Sequence, residues 1–352
     1  MIISFDSRTF LNSKVRKIYK NNLSKSLLIK KYAFLSKSSS GPKKFISDLI
    51  LTIEENDLCK TSLNFIESDI HLLNAGFYSP IWAHFQPKKK NRVIIRLDGV
   101  GLDAENIDFN KTKNRFYDLL YKGSYVIFQS EFSKNCFSNI YDSIPKGKVI
   151  YNGATPCEVL SKNNKLIKTI KKHFKDGFFT VSGRFCNRKR IYEITKEFDK
   201  YELGNLVVLS DVPDNLKFNN KRIIYLGMIN PEIARSVISV SKALIHFDRY
   251  DWCPNIVISA IFDKVPIICS NYGGTPEIVG KNGLIIEEFP KDLPHDLEGI
   301  NFAKKSSFPR KLFRESITDS KLVCQINENN GDFDIYDSAL KYVNTAYDLI
   351  KY

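Results

Sequence analysis

Long apolar runs are missing from this 352-residue chain. None approaches the roughly 18–20 residues needed to span a bilayer, so the protein is expected to touch a membrane at most and not to cross it. No secretory signal is expected from the residues that open the sequence. Cysteine is sparse and scattered, with seven residues at 59, 136, 157, 186, 253, 269 and 324. No pair has C-x-x-C spacing and none sits beside clustered histidines, which excludes a zinc site and a disulfide framework and leaves no metal expected. An odd set of thiols without a signal argues for a reducing, cytoplasmic compartment. No G-x-G-x-x-G follows a strand candidate, which argues against a dinucleotide oxidoreductase. An RNP-like aromatic strand, zinc fingers and a helix-turn-helix are also missing, so nucleic acid is not an expected partner. There is no internal repeat of short period and no low-complexity tract.

What is present is enough apolar surface for two cores, at 43% hydrophobic and 12% aromatic residues. At about 100–200 residues per domain, the length suggests two domains. Basic residues outnumber acidic ones by 53 to 39, a net charge of +14. The excess is uneven: residues 1–50 hold eleven Lys and Arg against only Asp6 and Asp48. Such a surface attracts anionic lipid, phosphorylated glycolipid or nucleic acid, or is simply a solvated lysine-rich face. Within residues 10–30, Leu11, Val15, Ile18, Leu23 and Leu27 recur at helical steps with Lys and Asn between them. This predicts a basic amphipathic helix, either a packed surface helix or a membrane anchor. Residues 1–30 are therefore read as a basic extension.

From residue 31 the pattern alternates. Residues 32–36 read as a strand followed by a loop, and Phe45 to Leu51 has helical spacing. Ile70 to Leu73, Val93 to Leu97, Tyr125 to Phe128 and Val149 to Tyr151 are strand candidates, the last running into the Asn152-Gly153 turn signal. After residue 156 the pattern restarts, with strand candidates at Phe178 to Ser182, Leu206 to Leu209, Arg222 to Leu226, Ala243 to His246, Val265 to Cys269 and Gly283 to Ile286. Alternating β and α elements predict parallel, doubly wound sheets. The expected plan is a domain over 31–155, a second over 156–330, and a closing amphipathic helix within 331–352 that packs back on the first.

Three segments carry candidate chemistry. Gly183-Arg184 with Lys189 follows the first strand of the second domain, where doubly wound sheets bind ligands. An Arg fork and a Lys point charge can face one anion together. Asp251 and Asn255 flank the start of a buried helix over Ile256 to Phe262, and helix N-termini bind phosphate well. Plain N-capping by Asn255 is the simpler alternative. Ser270-Asn-Tyr-Gly273-Gly274-Thr-Pro-Glu277 follows the next strand, and paired glycines let backbone approach a ligand or merely make a tight turn.

The stretch CPNIVISAIFDKVPIICSNYGGTPEIVG resembles the carboxyl-terminal signature of family-4 glycosyltransferases, in the subgroup with D-x-C-P-N-x-x-x-E-A, then G-x-P and G-G-x-P-E. Gly183-Arg184 with Lys189, Tyr151-Asn152-Gly153, Gln129 to Ser133, Arg96 to Gly99, and Gly41-Pro42 with Phe45 are similar to further motifs of that family. The resemblance implies the GT-B fold, two Rossmann-like doubly wound domains facing a central cleft. It implies a retaining hexosyl transfer from a nucleotide-sugar to a saccharide or lipid-linked acceptor, without a bound metal or cofactor. Arg184 and Lys189 are then expected to neutralise the donor diphosphate, and the amides near Asn255 and Ile256 to hold the same phosphates. Asp251 faces the donor sugar, with Gly183, Gly273, Gly274 and Glu277 as further donor-site residues. Asp98 and Gly41 lie on the acceptor side. Three positions depart from the pattern. Ser259 replaces the Glu that grips the ribose, Leu97-Asp98 replaces a histidine, and Lys264-Val265-Pro266 lacks the glycine of G-x-P. The expected role is surface polysaccharide or glycolipid assembly at the inner face of a membrane. The alternative is a catalytically weak or inactive binding subunit, which Ser259 favours.

Overall fold

The structure is a computed structural model, and it describes residues 1–5, 41–62, 68–74, 92–97, 99, 120, 125–156, 165–318 and 333–351. The chain divides into two compact units, Met1–Thr155 with Gly331–Tyr352, and Pro156–Asn330.

The first unit holds a parallel sheet built from β1 (Ile2–Phe5), β2 (Lys60–Ser62), β3 (Ile70–Asn74), β4 (Val93–Leu97), β5 (Tyr125–Phe128) and β6 (Gly147–Val149), in the order β2-β1-β3-β4-β5-β6. Helix α1 (Gly41–Glu55) joins β1 to β2 in sequence and buries Phe45, Ile46, Leu49, Ile50 and Ile53, its apolar stripe at helical spacing. That stripe shares a core with Ile3 and Phe5 of β1 and with Ile70 and Leu72 of β3. Helix α2 (Glu131–Ile140) starts at Ser130, whose side chain accepts from the Ser133 N–H at 3.0 Å.

The opening residues depart from the reading of 1–30 as an extension. Ile2–Phe5 is a strand, paired in parallel with β2 and β3 and largely buried. Three apolar residues and Ser4, ahead of a lysine-rich stretch, suffice for a strand with neighbours on both sides. The helix read within 10–30 and the strand read at 32–36 lie outside the described residues. The strand read at Val149 to Tyr151 sits earlier, because its ladder to β5 runs from Val126↔Gly147 to Phe128↔Val149.

The second unit carries α3 (Lys165–His173), β7 (Phe179–Ser182), a 3₁₀ turn at Asn187–Lys189, α4 (Ile191–Tyr201), β8 (Leu206–Leu209), β9 (Ile223–Tyr225), α5 (Pro231–Ile238), β10 (Leu244–His246), α6 (Asn255–Phe262), β11 (Ile267–Ser270), α7 (Thr275–Val279), β12 (Gly283–Ile286), α8 (Leu297–Lys305) and α9 (Arg310–Thr318). All its strand pairs are parallel, in the order β12-β11-β10-β7-β8-β9. Its core joins Val181, Val208, Ile245 and Ile268 of the strands to Ile194 and Phe198 of α4 and Phe313 of α9. Both sheets are of the doubly wound α/β type.

The chain returns to the first unit for α10 (Ile335–Lys351). The Ala154 N–H donates to the Phe333 carbonyl at 2.7 Å, and the Ile335 N–H to the Ala154 carbonyl at 3.1 Å, so the outgoing and returning segments meet there. Ala339, Tyr342, Val343 and Ala346 of α10 join the α1 core, with the Tyr342 and Phe45 rings 6.1 Å apart. Among the described residues no helix is long and apolar enough to cross a membrane.

Candidate functional site

In the second sheet the strand order reverses between β7 and β10: β8 and β9 lie beyond β7, while β11 and β12 lie beyond β10. Doubly wound sheets bind ligands at the carboxyl ends of the two strands flanking such a reversal. The polypeptide leaving β7 is Gly183 to Arg190, and that leaving β10 is Phe247 to Pro254. These two loops meet. The Arg249 N–H donates to the Arg188 carbonyl at 3.0 Å. The Lys189 ammonium touches Asp248 and donates to Asp251 Oδ2 at 2.9 Å. Arg188 Nη1 donates to the Tyr250 carbonyl at 2.8 Å and lies 3.5 Å from Asp251 Oδ2.

Two glycines make this approach possible. Gly183 has φ +149°, a backbone few other residues adopt, and the Lys189 stem lies over it; a Cβ there would stand 3.4 Å from Lys189 Cδ. Gly273, with φ +96°, packs on the Asp251 backbone, where a Cβ would stand 2.8 Å from the Asp251 nitrogen. The Gly274 N–H donates to the Asp251 carbonyl at 2.6 Å, and Ser270 Oγ to the Asp248 carbonyl at 2.9 Å. The loop after β11 thus fixes the loop after β10.

The electrostatics follow from this packing. Burial alone would raise the Asp251 carboxyl, but Lys189, the His246 imidazole and Arg188 hold it well below the usual carboxylate range. Burial alone would lower the Lys189 ammonium, and Asp248 and Asp251 more than offset it, leaving it above its ordinary value. Nε2 of His246 lies 3.5 and 3.6 Å from the two carboxylates. His246, Asp248 and Asp251 each offer a ligand atom within 4.8 Å of the others, a set that could hold a metal. The Lys189 ammonium already contacts both carboxylates, so a metal ion there would have to displace it.

Of the residues singled out in the sequence, Gly183, Lys189, Asp251, Gly273 and Gly274 come together here. Arg184, next to Gly183, is exposed and makes no hydrogen bond or ion pair among the described residues. Asn255 and Ile256 form the first turn of α6, but Asn255 is not its N-cap. That place falls to Pro254, whose carbonyl accepts from Val257 and Ile258, so Asn255 is the first helical residue. Ser259 lies one turn further along α6 and is half-buried, and Glu277 is exposed in the first turn of α7. Gly41 opens α1 in the first unit; Asp98 lies outside the described residues. Arg188, His246 and Asp248 were missed. The signal available for Asp248 was its spacing, three residues before Asp251 and just past a strand.

The first unit has its own polar cluster at the carboxyl ends of β4 and β5. Arg96, fully buried, donates to Asn152 Oδ1 at 2.8 Å; Asn152 donates to Gln129 Oε1 at 3.2 Å, and Gln129 to the Leu97 carbonyl at 3.2 Å. The Arg96 guanidinium lies 4.7 Å from the Phe45 ring centroid. Four stretches that resembled family motifs separately are therefore tied into one network.

The sequence matches no protein-family model and no curated protein. The structure is similar to solved ones. Sucrose-phosphate synthase from Thermosynechococcus elongatus aligns over 100% of this chain and 99% of its own, with a TM-score of 0.67 and 13% identity. A UDP-forming α,α-trehalose-phosphate synthase from Burkholderia xenovorans covers 89% of this chain and 80% of its own (TM-score 0.55, 11% identity). The catalytic domain of starch synthase IV from Arabidopsis thaliana, bound to ADP and acarbose, covers 89% and 79% (TM-score 0.53, 12% identity). The likeness is one of fold: the chain has the GT-B fold, with two Rossmann-like domains.

Proposed function

We propose that this chain is a glycosyltransferase of the family-4 type, moving a hexose from a nucleotide-sugar to a saccharide or glycolipid with retention of configuration. The observation that carries the reading is the convergence of Gly183, Lys189, Asp251, Gly273 and Gly274 at the reversal point of the second sheet. Arg184 is exposed beside that point and available to an anion. In this reading Arg184 and Lys189 neutralise the diphosphate as it leaves, fixed charges placed where negative charge develops. The first-turn amides of α6, at Asn255 and Ile256, face the same phosphates. Asp251 faces the donor sugar, Ser259 stands at the ribose, Gly273, Gly274 and Glu277 shape the donor loop, and Asp98 and Gly41 serve the acceptor. No resident metal or cofactor is invoked. Surface-polysaccharide or glycolipid assembly, on an anionic inner membrane face reached through residues 8–31, completes the proposal.

A second reading, a binding subunit without transfer, draws on Ser259, which is shorter than the Glu it replaces and uncharged. The two are separated by nucleotide diphosphate release from a panel of nucleotide sugars, with calorimetry of the diphosphates alongside. Losing one charged phosphate contact costs about 1.5–3 kcal/mol, so Arg184→Ala should weaken diphosphate binding about ten- to a hundredfold. Binding without turnover selects the second reading. Unchanged affinity in Arg184→Ala removes Arg184 from the site.

A further inference from the structure

Asp248 is a carboxylate that the donor-site reading does not use. Its side chain is only 4% exposed, and its Oδ2 touches the same Lys189 ammonium that Asp251 Oδ2 contacts at 2.9 Å. Two carboxylates therefore face one lysine, with Arg188 Nη1 3.7 Å from Asp248 and 3.5 Å from Asp251. Two cations and two anions cancel in this cluster. Arg184, exposed and unengaged among the described residues, is left as the uncompensated positive charge of the loop after β7.

We infer that Asp248 is a positioning and affinity-setting residue: it holds Lys189 against the end of β10 and weakens the grip of the site on diphosphate. The inference rests on the donor-site reading above. A lysine ammonium has three donors. With Asp248 and Asp251 on it, a phosphate oxygen arriving at the remaining donor comes close to both carboxylates, and like charges repel. Asp251 is needed to face the sugar, whereas Asp248 repels the leaving group without contacting it. Its consequence for a transferase is release: a site that stabilises departing diphosphate through fixed cations also retains it, and a fixed carboxylate behind the lysine limits that retention. Neutralising Asp248 should therefore tighten the product complex and slow turnover.

The test is calorimetry of the full chain with UDP, ADP, GDP and inorganic pyrophosphate, comparing wild type, Asp248→Asn, Asp248→Ser, Lys189→Met alone, and Asp248→Asn combined with Lys189→Met. The inference expects the best-bound diphosphate to bind Asp248→Asn or Asp248→Ser about ten- to a hundredfold more tightly than wild type. It expects that gain to vanish in the Lys189→Met background, a dependence that a merely structural aspartate would not produce. With any nucleotide sugar that is turned over, KM and kcat should fall together. Equal or weaker diphosphate binding in both single variants overturns the inference while leaving the donor site standing. A gain that survives Lys189→Met overturns it as well. If neither single variant folds, Asp248 is structural and the inference fails. If no diphosphate binds wild type, the donor-site reading fails and this inference with it.

Discussion

Lys264 shows how one residue records a local cost. It follows the Asp263 C-cap of α6, is exposed, and has φ +61°, the left-handed conformation in which helices favour glycine. The family pattern it resembles has glycine there, in G-x-P. A left-handed L-residue costs roughly 1–2 kcal/mol, and the freer unfolded state of glycine takes back about 0.4–1 kcal/mol. Lys264→Gly should therefore stabilise the chain by about 0.5–1 kcal/mol in urea unfolding. A loss of stability would mean that the Lys264 side chain contributes something its exposure does not suggest. Gly273 is the reverse case, since a Cβ there has no room beside Asp251.

Between elements, the loop bearing Lys189 is braced from behind. Arg190, with φ +53° and a fully buried side chain, turns the chain from the 3₁₀ turn into α4. Its guanidinium pairs with Glu288, past β12, at 2.6 Å and donates to Ser306 Oγ, past α8, at 2.7 Å. Arg249 donates to the Ala303 carbonyl at 3.2 Å and bonds Ser306 as well. A strained backbone of this kind persists where its surroundings hold it. Burial pushes the Glu288 carboxyl up despite the arginines, so the pair is not a simple gain in stability. Removing one partner is different, because it leaves a buried charge alone. Glu288→Ala should cost about 3–5 kcal/mol in urea unfolding. Glu288→Gln, which keeps a hydrogen-bond acceptor, should cost less. Equal stability of Glu288→Ala and wild type would show that the bracing is not energetically important.

Across the whole molecule, what the sequence revealed follows from where the physical signal lies. Strands buried on both faces read as apolar runs, so β3, β4, β5, β8, β10 and β11 were legible; the partly buried edge strands β9 and β12 were legible from their apolar composition alone. Lys60–Ser62 was not, because Lys-Thr-Ser has no apolar run and becomes a strand only by pairing with β1. Lys189, Asp251, Gly273 and Gly274 were legible from motif spacing. Asp248, His246 and Arg188 were not, because their roles arise from β7 lying beside β10, which brings together residues 62 positions apart in sequence. The central claim is that the reversal point of the second sheet receives a nucleotide diphosphate. Hydrogen–deuterium exchange of the chain with and without a saturating diphosphate from the UDP, ADP and GDP panel tests it most directly. The account predicts slowed exchange in the peptides covering 183–190, 251–259 and 273–277. Diphosphate binding whose protection falls elsewhere, with these three segments unchanged, would contradict it.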